Sequence, residues 1–402
     1  MGHVTPAKTP LELAALATVA VPGLRVAGLR PPQFSDELVS VTGIIDVQGT
    51  RYLVVCPHDT TGGLNLEAQT AVLGRLARAH DAGELPFDVP RPAGLAHIPG
   101  GGRVMVHPDL GGRFMADEDF QDDLILPASL ARALAALHNL PPGVYTGVDT
   151  PVYTADECRS RHVALLDEAA AATVIPANLW DRWSAALEDV SLWRFPTTPI
   201  HGDLQTTSVV VEDGTVLGVT GFSSAQVGDP AVDVAWVLAQ ASDAFLDRFR
   251  EAYSLARQAT DLHLLTRAQL ISELALVRWL VHGVHAEDPS IVEDAARMLA
   301  DLASDLGDDQ LARPDHAREV PVPVPEAAAP VSPLPADRRH DAADDGTAPE
   351  VGGTPWGDDR AAARGDDGAA ARPGPAQPET GPLPLADLPT EKLRLDPGDP
   401  PA

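Results

Sequence analysis

The sequence predicts an α+β domain of two lobes, a small β-rich one followed by a mostly helical one, with a coreless tail behind them. Three observations carry this. Strand-like runs lie before residue 110 and in one later hairpin; the stretches that follow repeat their apolar residues at helical spacing; and from Arg313 onward Pro, Ala, Gly and Asp displace nearly all large apolar side chains. A chain of 402 residues, 44% hydrophobic, is ample for a sizeable core. The expected domains are 1–110 (a leading helix and the β-rich lobe), 111–312 (the helical lobe) and 313–402, an acidic segment expected to be disordered because it cannot bury enough surface to offset ordering entropy.

Taken in order, residues 1–24 read as a helix ending near Pro22-Gly23. Leu13 to Val21 after Lys8 imitates a signal peptide faintly, but Glu12 borders it and an amphipathic first helix is the preferred reading. Glu37 to Val47 is rich in β-branched residues, Gln48-Gly49-Thr50 is a turn, and Arg51 to Cys56 is a second strand, so the pair reads as a hairpin. Leu64 to His80 turns helical, Gly101 to His107 is a further strand, and Pro108 to Gly112 reads as a hinge. Helices are expected over Ala128–His138, Ala155–Ala172, Leu179–Val190, Ala231–Gln240, Asp243–Arg257, Leu264–His285 and Ile291–Leu306. Leu383, Leu385, Leu388, Leu393 and Leu395 are the only apolar cluster near the end of the tail, and scattered flexible residues are the preferred reading over a docking motif.

A net charge of −29 argues against nucleic acid and anionic lipid as partners, both of which want a basic surface. It tolerates cationic partners, though acidity is more often a solubility feature. Cys56 and Cys158 are too few and too distant for a disulfide framework or metal site, and buried thiols in a reducing cytoplasm are expected. No apolar run reaches the roughly 18 residues of a membrane span. Heavy use of Ala, Gly, Pro and Arg with only two lysines, Lys8 and Lys392, suggests a GC-rich bacterial genome.

The chain is organised around His201 to Asp233. His-Gly-Asp places a carboxylate, Asp203, on a loop entering two short strands, Val209–Val211 and Thr215–Val219, joined by Asp213-Gly214, a type I′ hairpin signal. Asp229-Pro230 then caps and opens a helix. At these residues the chain resembles the aminoglycoside and macrolide phosphotransferases, small-molecule kinases of protein-kinase-like fold. Their pattern is roughly HGD, an Asn or His a few residues on, a hairpin, an Asp on its second strand, then Asp-Pro and a further Asp. Here HGDL, the hairpin, Asp229-Pro230 and Asp233 stand in order, while Ser208 takes the Asn or His place and Gly221 the metal-binding Asp place.

The resemblance implies ATP and Mg²⁺ as cofactors, Asp203 as the base that accepts the acceptor's hydroxyl proton, and His201 as support for the loop. It also implies a strand lysine gripping the phosphates, paired with a helix glutamate. No lysine lies between Lys8 and Lys392; Val55 occupies the best-matching strand position, with Glu67 on the following helix. Arg51 shares Val55's face but stands four residues away, about 13 Å along a strand. No Asn follows Asp203, and no Asp or Glu lies between Asp213 and Asp229, so no shift of register restores a carboxylate on the second strand. Gln33 to Glu37, where a loop would cover the nucleotide, holds no glycine, and Gly100-Gly101-Gly102 reads as a turn because no helix start follows it.

Two readings follow. In the preferred one the chain is a pseudoenzyme: the family's fold kept as a binding or scaffold module, with Mg-ATP catalysis lost or vestigial. In the other it is an active ATP-dependent phosphotransferase acting on a small-molecule hydroxyl, with Asp203 as base and Asp229 or Glu212 as a replacement metal ligand. A third use of the cleft, for an uncharged metabolite or a peptide segment, fits the loss of charge at Val55 and Gly221. The expected partner is a small-molecule substrate or a protein.

Overall fold

The structure is a computed structural model that describes residues 8–311 except 36–38, 99–101, 122–123, 146, 149, 308 and 310. The 313–402 segment and its leucines lie outside the described residues. The chain opens with α1 (Pro10–Ala20), started by a capping box in which Thr9 and Glu12 satisfy each other's backbone donors. A five-stranded antiparallel sheet follows, in the order β1 (Val26–Ser35), β2 (Val39–Asp46), β3 (Arg51–Pro57), β5 (Arg103–Pro108), β4 (Gly94–His97). Alternation divides the sheet. Ile44, Val54, Cys56, Val104 and Val106 pack against α1, while Met105 and Val55 face the opposite way and join the main core.

Two strands of this sheet lie outside the runs expected from sequence. β1 carries Pro31-Pro32, a pair that argues against a strand, but a proline is tolerated on an edge, and the register shifts on either side of Pro32. β4 is a four-residue strand on the other edge. Between β3 and β4, α2 (Thr60–Asp81) starts four residues ahead of its first expected position because the Asp59 side chain accepts from Gly62 N–H at 2.8 Å.

The second lobe contains α3 (Leu126–Asn139), α4 (Ala155–Ala172), α5 (Ala177–Glu188), α6 (Ala231–Gln240), α7 (Asp243–Ala256), α8 (Leu264–His285) and α9 (Pro289–Leu306). α3 packs on α7, and α8 packs on α4, α6 and α9. Five short strands hold the site: β6 (Arg113–Phe114), β7 (Thr198–Ile200), β8 (Val209–Glu212) with β9 (Thr215–Val219), and β10 (Gln226–Gly228), which pairs with β7. One core runs from the sheet through α2 into α3, α6 and α7, so both lobes share buried surface across the hairpin β8–β9. A second gathers α4, α5, α8 and α9 around the fully buried Trp183, whose indole N–H donates to Glu273, itself gripped by Arg182. Among the described residues no helix is long and apolar enough to cross a membrane.

Candidate active site

His201–Asp233 forms one braced block. β7 delivers the chain into His201, and Gly202 turns it at φ +86°, where an added Cβ would lie 2.3 Å from the Ser224 carbonyl oxygen; only glycine fits. The buried Asp233 carboxylate, in the first turn of α6, accepts from the His201 and Gly202 backbone N–H groups, each at 2.8 Å, and lies 3.1 Å from His138 Nε2. Burial works against its charge, but the His138 hydrogen bond and charge and the Gly202 N–H outweigh that, so its pKa lies below the usual aspartate value. His138 Nδ1 in turn meets the Tyr253 hydroxyl at 2.7 Å.

His201 is buried, and burial pulls its pKa below the ordinary histidine value despite Asp233 and the Thr220 carbonyl. In the neutral tautomer its Nε2–H donates to Thr220 O at 2.7 Å and its Nδ1 accepts Asp203 N–H at 3.3 Å, tying the loop to the end of β9. Asp203 itself stays half-buried, and the guanidinium of Arg278 in α8 feels its charge.

Ser208 and Gly221 sit face to face where β8 begins and β9 has just ended. A Cβ on Gly221 would lie 3.4 Å from Ser208 Oγ and 3.8 Å from His201 Nε2, and Gly221 holds φ +80°. One hydroxyl and no carboxylate fit a hard dication poorly, so Mg²⁺ does not match this donor set. Nor do the alternatives repair it. Asp229 is buried, its Oδ1 accepting from Ala231 N–H and Arg267 Nη2 and its Oδ2 from Arg267 Nε. Arg267 is fully buried, stacked 3.9 Å over Phe195, and shared with Asp261. Asp229 thus anchors α8 to the start of α6 as well as capping α6, whose first helical residue is Ala231, not Pro230. Glu212 is exposed at the hairpin tip, four residues, or about 13 Å, along the strand from Ser208. Among the described residues no group of three His, Cys, Asp or Glu is placed to hold a metal.

Across the cleft, Val55 pairs with Val41 and Met105 and packs into the main core. With no strand lysine to pair with, Glu67 has a different basic partner, Arg103 of β5 at 3.6 Å, with both side chains about half exposed. On Val55's face of the sheet, the Arg30 side chain lies directly over Gly43, where an added Cβ would be 2.8 Å away, and pairs with Asp109 in the hinge. Asp109 also accepts Gly111 N–H. Arg30 belongs to no local motif, and its role emerges only from its pairing with Asp109, 79 residues away.

A β-rich lobe, a hinge, an HGD loop, a hairpin and a helical lobe in this order define a kinase-like fold. The chain belongs to the Phosphotransferase enzyme family, whose family model matches residues 44–270. Solved structures of the same fold include the macrolide 2′-phosphotransferase MphH from Brachybacterium faecium, 20% identical over 71% of this chain and 97% of that one, with a TM-score of 0.61. The GDP complex of aminoglycoside 2′-phosphotransferase-IIIa is 15% identical over 74% and 99%, at 0.60. The streptomycin–ATP complex of APH(2″)-IIa is 15% identical over 73% and 97%, at 0.52. The uncharacterized protein YcbJ of Bacillus subtilis (strain 168) is 33% identical over 60 residues, 15% of this chain and 20% of that protein.

Proposed function

We propose that this chain is a binding or scaffold module built on the phosphotransferase fold, with Mg-ATP phosphoryl transfer lost or vestigial. The observation that carries this reading is the Ser208–Gly221 pair: the two positions that would hold the metal meet each other without a carboxylate between them. Val55 in place of the strand lysine adds to it. Each lost donor or ligand costs on the order of 10² to 10³ in rate, and such losses do not add simply. The expected ligand is a small molecule or a protein, with neither nucleic acid nor membrane as partner. We place the chain in the cytoplasm, where its two buried thiols stay inert: burial raises both, Cys158 to about 12.

The braced loop favours a second reading. Asp203 stays half-buried on a scaffold that fixes its backbone from both sides, the arrangement an active phosphotransferase needs for its base. Calorimetry of the full chain with ATP, with and without Mg²⁺ or Mn²⁺, separates the two. The module shows no metal-dependent binding and no ADP formation. Metal-dependent ADP formation stimulated by a hydroxyl acceptor and abolished in Asp203→Ala establishes the enzyme.

A further inference from the structure

The strand wall has a bare place, and one side chain covers it. Pairing in register sets Val41 beside Val55 and Gly43 beside Leu53, and residues directly opposite each other share a face of the sheet, so all four belong to one wall. Val41 and Leu53 are buried and apolar, and Val55 packs into the main core. Gly43 alone contributes no side chain.

Arg30 lies in that gap. Between the pairs Leu29–Ile44 and Pro32–Thr42, β1 sets two residues, Arg30 and Pro31, against the single residue Gly43. Such a bulge re-aims a side chain. The Cβ, Cγ and Cδ of Arg30 lie 2.8, 3.5 and 3.3 Å from where a Cβ on Gly43 would be, so the arginine stem runs flat over the glycine. Beyond the stem, the guanidinium bonds the carboxylate of Asp109 in the hinge, with the two side chains 25% and 11% exposed.

The hinge end of this bridge is fixed. Asp109 N–H donates to Arg51 O of β3 at 3.0 Å, and the Asp109 carboxylate accepts Gly111 N–H at 3.2 Å. The next residue, Leu110, packs on β9: an added Cβ on Gly218 would lie 2.6 Å from Leu110 Cδ1. The other end is held less firmly, since β1 is an edge strand bonded to β2 alone and its register shifts at three places.

We propose, on the reading of Val55's face as the wall a nucleotide would use, that the Arg30–Asp109 pair is an autoinhibitory clasp that must open before a planar ring can lie on that wall. A ring over Gly43 needs the volume of the arginine stem. Displacing the stem breaks a charge-assisted bond, so only molecules with the clasp open bind, and affinity falls by the open fraction.

Calorimetry of the full chain with adenosine, without metal, tests this. Adenosine carries the ring and no phosphate, so neither the metal positions nor the missing lysine bears on the result. Arg30→Ala and Asp109→Asn should each bind adenosine about tenfold more tightly than the native chain, because binding no longer has to break the pair. Asp109→Asn keeps a side-chain oxygen for Gly111 N–H and so opens the clasp without freeing the hinge turn. The double variant should bind no more tightly than the tighter single variant, since both substitutions release one contact. Urea midpoints identify the folded variants, and either single variant suffices. Adenosine affinity unchanged or lower in the folded single variants, no adenosine binding by any chain, or additive gains in the double variant overturns the proposal. ADP formation from ATP and Mg²⁺ is followed in the same proteins. ADP formation by the native chain, together with tighter adenosine binding in the variants, overturns the non-catalytic reading and leaves the clasp standing; equal adenosine binding throughout, with no ADP formation, does the reverse.

Discussion

The two walls of the cleft have been treated differently. On the loop wall buried charges fix the backbone: Asp233 accepts from the His201 and Gly202 N–H groups, and Asp229 from the Ala231 N–H as well as from Arg267. On the strand wall the position proposed for the phosphate-gripping cation is Val55, Glu67 pairs with Arg103, and Arg30 lies across the face to the hinge. The loop charges serve folding as well as chemistry, because they satisfy backbone donors inside the core. The strand lysine and the metal ligands would serve only the nucleotide. On the reading proposed above, loss of catalysis would strip one wall and leave the other standing.

The sharpest way to break this comparison is to remove one charge from each wall. Asp233→Ala leaves two buried backbone donors and His138 without their acceptor, and should cost about 3–5 kcal/mol in urea unfolding. Glu67→Gln, which loses a half-exposed pair, should cost no more than about 1 kcal/mol. Similar losses from both would show that the loop is not the stiffer wall.

Acid should find the helical lobe next. His162 has a folded pKa of about 3, below its unfolded value of roughly 6.5. A depressed histidine binds its proton in the unfolded chain first. Its contribution is fully present above pH 6.5 and is lost as pH falls from 6.5 towards 3, at up to about 1.4 kcal/mol per pH unit. The ring is only half-buried, so the slope falls below that ceiling. His162→Gln should flatten the profile in this window, read as urea midpoints from pH 7 to 4. Asp233, with a depressed carboxylate pKa, contributes stability that disappears only below about pH 4, as pH falls through its folded value.

How much of this was legible in the sequence follows from the range of each interaction. α4, α6 and α8 end where apolar spacing and caps place them, and the Asp213-Gly214 turn, with φ of 50° and 74°, has the left-handed pair its residues demand. β1 was hidden by Pro31-Pro32, since only its edge position makes the prolines harmless. The order HGD, hairpin, Asp-Pro was readable, and so was the lack of an acidic residue between Asp213 and Asp229. The partners of those residues were not. Asp229–Arg267 spans 38 positions, His138–Asp233 95 and Arg30–Asp109 79, and no periodicity connects them.

The smallest expected effect concerns Arg30, and it decides what its side chain does. If the Arg30–Asp109 pair is only a surface bridge, Arg30→Ala costs about 1 kcal/mol or less and changes nothing else. The geometry asks for more. Arg30 lies over Gly43, Gly43 stands opposite Leu53, and Leu53 shares its face with Val55, so the arginine shields the strand wall a nucleotide would use. A cysteine introduced as Leu53→Cys, at a site 6% exposed, reports on that shield, because Cys56 and Cys158 are buried and give a slow background. Maleimide labelling of Leu53→Cys should accelerate several-fold when Arg30→Ala is added, while the urea midpoint moves little. Equal labelling rates with and without Arg30 would mean that the strand wall is closed by packing alone, and its difference from the loop wall would then rest on the missing lysine and metal ligands.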